Sequence, residues 1–349
     1  MPFFGIFRNA SALPAILLAV YFLLGRDVDV KLFAADVRIE SVEHWSNVFD
    51  GEEIVQRFRI PNAAANAEAI GWRVTMETAV INRGESVLKA DPNLGPLLTV
   101  QFRLPEGGPR VILSLTIHIT RHGQEVLAKR LWIFPRNPFT QPIPGLGTRE
   151  IVLFDPQRTT APRLEEADVQ FRLVKHVDAL AELRGGVLLI GHGTNFREHR
   201  ALSSVVLQVA NRGVTVVCLA PSAGVIPFPD DEGSDGQDES KSAVLQNFRL
   251  GRTDVIAAFD KRLDFRDWRG KSSVIASTFK INGKDKKMTA EVSTENRGWS
   301  WIEADFANRG RLIVCGFNIM EQWDAGPAPR HTLWHLLAHA VRETKAVDQ

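Results

Sequence analysis

The chain has 349 residues, 44% of them hydrophobic and 24% charged, and its 42 Lys and Arg against 41 Asp and Glu leave a formal net charge of +1. This is the composition of a folded globular protein too long for a single core, and a charge near zero excludes the electrostatic grip that a polyanion needs, so nucleic acid is not an expected partner. Two cysteines, Cys218 and Cys315, rule out a disulfide framework and a cysteine-based metal cluster and leave the redox compartment open.

Residues 1–35 carry the apolar run "ALPAILLAVYFLLG" at 12–25, preceded by Arg8. The run is shorter than the roughly 20 residues of a membrane-spanning helix but suits the core of an export signal. Arg26, Asp27, Asp29 and Lys31 follow at once, and "LFAAD" is a poor cleavage site. Export or membrane anchoring is therefore one reading; a buried first strand or an inter-domain segment of a larger architecture is the other, and a cytoplasmic location stays open.

Residues 36–137 read as β. In "RVILSLTIHIT" Val111, Leu113, Leu115, Ile117 and Ile119 share one face and Ser114, Thr116, His118 and Thr120 the other. The same alternation runs through "LLTVQFRL" (Leu98, Val100, Phe102, Leu104) and "GWRVTME" (Trp72, Val74, Met76), which makes Trp72 and Trp132 core residues. Turn signals such as "NRGE", "DPNLGP" and "LPEGGP" separate the runs. With "IVQRFRIPN" and "EVLAKRLWIFP", about six strands predict an antiparallel β-sandwich of immunoglobulin type. The Pro- and Gly-rich stretch at 138–149 reads as a linker.

Residues 150–345 change pattern. "IVLF", "VQFRLV", "GVLLIG", "VTVVCL" and "RLIVCGF" are short apolar runs of the kind a parallel sheet buries on both faces. Between the third and fourth, Leu202, Val205, Val206 and Val209 stand at helical spacing, with Asn195 available as a cap and Gly213 as a stop. Leu333, Leu336, Leu337 and Ala340 repeat that spacing near the end. The expected fold is a doubly wound, mostly parallel α/β sheet. The acidic, Gly- and Ser-rich stretch 229–242 lacks the ligand spacing of an EF-hand and reads as a solvated loop.

Several stretches together resemble the C-terminal accessory region of bacterial proteins related to glycoside hydrolase family 2. "GWRVTMETAVINRGES", "LPEGGPRVILSLTIHIT" and "LWIFPRNPF" resemble the immunoglobulin-like sandwich there. "IVLFDPQ" through "GGVLLIGHGTN" resembles a class I glutamine amidotransferase-like domain, and "GWSWIEADFANRGRLIVCGFNIMEQWDAGPAPRHTLWHLLAHAV" is the most specific piece. The likeness spans about residues 36–345. The hydrolase chemistry of that family resides in a (β/α)₈ barrel of about 250 residues, for which this chain leaves no room, so the resemblance transfers no catalytic residue. A "TEN" at 294–296 reads as surface.

Cys218 sits in "VVCLAPS", at the end of a predicted strand, where a nucleophile could be displayed; but no glycine flanks it and Pro221 removes an oxyanion N–H, so a buried structural thiol is expected, as for Cys315. His331, His335 and His339 fall on one helix face with no carboxylate at ligand spacing and read as solvated; neither a metal nor a cofactor is expected. Ser222 lacks a G-x-S-x-G frame. The candidate binding residues are Gly191, His192, Gly193, Thr194 and Asn195, a strand-to-helix turn whose free N–H groups could hold an anion, and Trp299 and Trp301, which alternate with Ser300 and could present indoles to a sugar. The expected function is that of a non-catalytic accessory protein binding carbohydrate or assembling with a glycoside hydrolase subunit. The alternatives are an enzyme with its site around 191–195 and 218–224, and a subunit completing a separately encoded hydrolase, which an apolar patch on a sheet edge would favour.

Overall fold

The computed structural model describes residues 39–61, 69–104, 106, 112–226, 245–263, 266, 268–282, 287–291 and 298–342. The N-terminal run 1–35, Val111, the acidic stretch 229–242 and the 294–296 "TEN" lie outside them. Strands β1 (Glu40–Ser41), β2 (Asn47–Phe49), β3 (Glu53–Arg59), β4 (Ala69–Met76), β5 (Ala79–Val87), β6 (Lys89–Asp91), β7 (Gly95–Arg103), β8 (Leu113–Arg121) and β9 (Gln124–Phe134) come first. They form two sheets, β1-β3-β7-β6 and β2-β9-β8-β4-β5, antiparallel except for the β2–β9 pair, so this region is a β-sandwich-like pair of layers with more strands than the apolar runs suggest.

Alternation determines which face is inside. Ile54 and Phe58, Leu98, Val100 and Phe102, and Leu115, Ile117 and Ile119 are buried, each fully buried residue of this kind contributing about 1.5–3 kcal/mol. β8 and β9 are joined through His122 and Gly123, both at positive φ (+50° and +77°), the two-residue turn that suits strand twist. Two tryptophans depart from expectation: Trp72 and Trp132 are only half-buried, Trp72 lying against Gly84 and Trp132 beneath the guanidinium groups of Arg130 and Arg262. The ring in each case shields neighbouring backbone and cations at the margin of the core.

The second region is built on a seven-stranded sheet. Its strands are β10 (Ile151–Phe154), β11 (Arg172–Val174), β12 (Val187–Ile190), β13 (Thr215–Leu219), β15 (Leu245–Gly251), β18 (Trp301–Phe306) and β19 (Arg311–Cys315), in the order β11-β10-β12-β13-β19-β18-β15. The pairs from β11 to β19 are parallel; β18 and β15 are antiparallel additions. β14 (Ala223–Ile226), β16 (Thr278–Asn282) and β17 (Lys287–Glu291) form a small separate antiparallel sheet that sequence pattern did not reveal.

Helices cover both faces of the large sheet. α1 (Ala161–Glu166) and α5 (Pro327–Ala340) pack on the face carrying Leu153, Leu189, Val217, Ile313 and Cys315. α2 (Val177–Leu180) and α3 (Leu202–Asn211) pack on the other, which carries Phe154, Leu188, Val216, Cys218 and Val314. α4 (Asp254–Phe259) lies beside α5. The predicted apolar rows of α3 and α5 are buried as expected, and Gly213 ends α3 at φ +97°. Asn195 does not cap α3, which begins at Leu202 after Ala201.

The stretch 138–149 is a packed strap, not a free linker. Asn137 donates to the carbonyl of Ala167, Phe139 stacks on Trp323 with ring centroids 6.4 Å apart, and Trp334 Nε1 donates to Gln141 O at 3.4 Å. The sandwich is joined to the α/β region by further contacts: Arg269 donates to Asn47 O and pairs with Glu52 at 2.5 Å, and its guanidinium lies 4.1 Å from the Trp45 ring.

Candidate functional site

β10, the first strand of the large sheet, lies between the second and third to be laid down, so the chain reverses direction across the sheet between β10 and β12. Open α/β sheets hold ligands in the crevice this reversal creates, beyond the strand C-termini. The two segments that leave here are "DPQRTT" (155–160) after β10 and "GHGTN" (191–195) after β12, so the turn selected from sequence is at the expected place.

Its chemistry differs from the expectation. Asp155 is buried and its Oδ2 accepts from the backbone N–H groups of Thr160 and Ala161, both at 2.8 Å, which caps α1 from five residues upstream. Gly191 is needed because a Cβ there would stand 2.4 Å from Asp155 Oδ1. The N–H groups of Gly191 to Thr194 are already committed: Gly191 to Phe154 O, His192 to Thr160 Oγ1, Gly193 to Ala220 O and Thr194 to Gly191 O. The Thr194 hydroxyl donates to Gly191 O, and Asn195 accepts from Arg197 N and donates to Glu198. With four consecutive N–H groups spent internally the turn lacks the converging donors of an anion cradle, and α3 starts too far along the chain to contribute one. What remains is His192, 6% exposed, with Nδ1 unpartnered and Nε2 3.7 Å from Glu321 Oε1. Burial pushes its pKa down against the pull of Glu321 and Asp155, which favours the neutral imidazole.

The sharp turn suspected around Cys218 exists two residues later. Ala220 adopts φ +38°, donates to Cys315 O at 2.6 Å and is 3% exposed, so a methyl group occupies the elbow. Cys218 and Cys315 are fully buried on opposite faces of the sheet. Burial pushes both thiols up, Cys315 to about 12, so neither supplies a thiolate near neutral pH.

A second site lies under α4 and α5. The strands there place Trp301, Glu303 and Asp305 at alternate positions of β18, facing Arg311 of β19, and α5 lowers His335 and His339 onto them. His339 Nε2 donates to Glu303 Oε2 at 3.0 Å, Arg311 Nε pairs with Asp305 Oδ1 at 2.6 Å and with Glu303 Oε1 at 3.3 Å, and Arg249 reaches Asp305 at 3.0 Å. Burial alone would raise the Glu303 pKa; the hydrogen bond and charge of His339, with Arg311 and Arg249, outweigh it and hold the carboxyl below its ordinary value. Phe259 stacks on His335, with rings 6.3 Å apart and 8° from parallel, and meets Trp301 edge-on at 5.6 Å. Between these rings and Arg249, Asp254, Glu303 and Arg342 is a cleft of about 350 Å³.

The three helix histidines are thus not on a solvated face. His331 is 5% exposed, with Nε2 donating to Pro135 O and its ring edge-on to Phe134 of the sandwich, and burial lowers its pKa to about 4. Burial also lowers His335 against the attraction of Asp260. The helix pattern could not reveal this, because what covers the face comes from elsewhere in the chain.

Trp299 and Trp301 do not form a shared exposed platform. Trp299 is half-buried with Arg252 5.1 Å over its ring, whereas Trp301 is 3% exposed at the back of the α4–α5 cleft. Nor does Trp301 join the 191–195 turn, since β13 and β19 separate β12 from β18. Glu303, Asp254, Arg249 and Phe259 escaped the sequence reading. Two acidic residues at alternate positions of an otherwise apolar strand, "WIEADF", were the available signal. Among the described residues no group of three or more His, Cys, Asp or Glu is placed to hold a metal ion, and no helix is long and apolar enough to cross a membrane.

No protein-family model and no curated protein matches the chain. Among solved structures, the Pseudomonas fluorescens alkylpurine DNA glycosylase AlkC bound to DNA containing an abasic site analog aligns over 29% of this chain and 31% of its own, at 15% identity and a TM-score of 0.20. The Parabacteroides merdae β-glucuronidase with glycerol in its active site aligns over 54% of this chain and 24% of its own, at 10% identity and a TM-score of 0.18. The alignments span less than a third of either protein, and neither amounts to a shared fold.

Proposed function

We propose that this is a non-catalytic accessory protein, an immunoglobulin-like sandwich docked on a glutamine amidotransferase-like α/β domain in the manner of the C-terminal half of glycoside hydrolase family 2 relatives, and that it binds carbohydrate or assembles with a glycoside hydrolase subunit. The observation that carries this reading is the α4–α5 cleft, where Phe259 and Trp301 stand across from Arg249, Asp254 and Glu303 in about 350 Å³. A pyranose has apolar faces and a rim of hydroxyls, and a cleft pairing ring edges with carboxylates and guanidinium groups meets both. The alanine at the elbow after β13 supports binding over acyl transfer.

The test is a glycan array probed with the full chain, followed by titration of the best glycan against wild type and Phe259→Ala. Binding weakened about tenfold or more in the variant is expected. An array without signal, or a variant that binds as wild type does, removes carbohydrate binding at this cleft and leaves assembly with a subunit, which a pull-down with the full chain then tests.

One observation favours an enzyme instead: His192, neutral and buried with a free Nδ1 at the β10–β12 crevice, beside Glu321. Turnover of chromogenic esters or glycosides that disappears in His192→Gln would put catalysis there.

A further inference from the structure

β5 is the outermost strand of the five-stranded sheet, and among the described residues nothing pairs with its outer edge. Sheet edges are usually blunted by Lys, Pro, a bulge or a short strand; β5, "AVINRGESV", has no Lys or Pro, is as long as β4, and is bulged only near its start, at Ile81, which leaves Asn82–Val87 in regular register with β4. It exposes Val80 (55%), Ile81 (37%) and Val87 (49%).

Two charges on this strand lack partners among the described residues. Arg83 stands opposite Arg73 in the β4 register, and Arg73 is taken by Glu125 at 3.3 Å, so the Arg83 guanidinium faces a like charge. Glu85 stands opposite Gly71, which offers it no side chain. Gly84 lies between them, kept a glycine by Trp72, whose ring a Cβ would meet at 2.6 Å.

We propose that β5 is a homodimer interface, a second copy of the chain adding its own β5 antiparallel about a two-fold axis at Gly84. In that register Arg83 of each copy faces Glu85 of the other and Asn82 faces Ser86, all within the regular part of the strand. Each orphan charge gains a partner, and the symmetry makes the Arg83–Glu85 pair twice. The register is selected as well as allowed: shifting by two residues, the smallest slip that preserves the faces, sets Arg83 against Arg83 or Glu85 against Glu85. The contact is isologous and closes on itself. It rests on the sandwich edge alone and is independent of whether the cleft takes a sugar.

Sedimentation equilibrium of the full chain between about 1 and 100 μM, the span in which a strand-sized interface dissociates, tests it. Wild type should dimerise. Arg83→Glu and Glu85→Arg should each weaken the dimer about tenfold or more, and the double variant should restore it. Both side chains are exposed, so unchanged thermal melting at low concentration confirms that all four proteins fold. A wild type monomeric at about 100 μM, a dimer indifferent to the single reversals, or a double variant that stays monomeric overturns the proposal.

Discussion

Arg311 holds Asp305 in a 2.6 Å ion pair with side chains 6% and 2% exposed, inside the layer between the large sheet and α5. The same guanidinium reaches Glu303 and donates to His339 O, so one cation answers two buried carboxylates and a helix carbonyl. Arg249, which also reaches Asp305, is half-exposed and screened by water.

Arg311→Leu should therefore cost about 3–5 kcal/mol, because it strands charges that remain buried. Urea denaturation at neutral pH measures this directly. A loss under about 1 kcal/mol would mean the carboxylates find water or protons without strain.

His331 makes stability depend on pH in a defined window. Its pKa falls from 6.5 to about 4 on folding because the ring is buried against Phe134 and Pro135. The neutral form is favoured in the folded state, so the stabilisation is complete above about 6.5 and lost as pH falls toward 4, by about 3 kcal/mol in all. Glu303, held below 4.5, adds a loss that begins as pH falls past about 4.5 and is complete once its lowered folded-state pKa is passed. Replacing His331 with Phe should flatten the slope of unfolding free energy between pH 6.5 and 4; an unchanged slope would assign the acid sensitivity to other groups.

Gly191→Ala should destabilise by about 2–3 kcal/mol through the clash with Asp155, which would have to release the α1 amides. A double-mutant cycle with Asp155→Ala isolates the effect. The glycine substitution should cost much less once the carboxylate is gone, and additive costs would place the strain elsewhere.

Cys218→Ala should leave any binding or activity intact at a stability cost of about 1 kcal/mol. Iodoacetamide between about pH 6 and 8 should label neither thiol of the native protein and both in denaturant. Rapid native labelling at the acid end would reopen the nucleophile reading of the strand that contains Cys218.

The sequence by itself determined the main apolar strands, the two longer helices and their inward faces, though not the small β14-β17-β16 sheet. Period-two runs such as Leu98–Val100–Phe102 and all-apolar runs such as Val187–Ile190 can bury their side chains in only one way, and the i, i+3, i+4, i+7 row from Leu202 to Val209 dictates a helix and its core side. The buried position of Cys218 was also legible, because its flanking residues lack the glycines that a displayed nucleophile requires. Periodicity reports which residues share a face; it does not report what covers that face. The tertiary structure alone decided that His331 is buried, because its partner Pro135 comes from the end of the sandwich, and that the N–H groups of Gly191, His192 and Gly193 are not free for a ligand, because Phe154, Thr160 and Ala220 take them. It also decided that Glu303 and Asp305 are tolerated inside, since Arg311 and His339 arrive from a different strand and from the last helix. A buried polar group is stable only with its partner, and here the partners lie far along the chain.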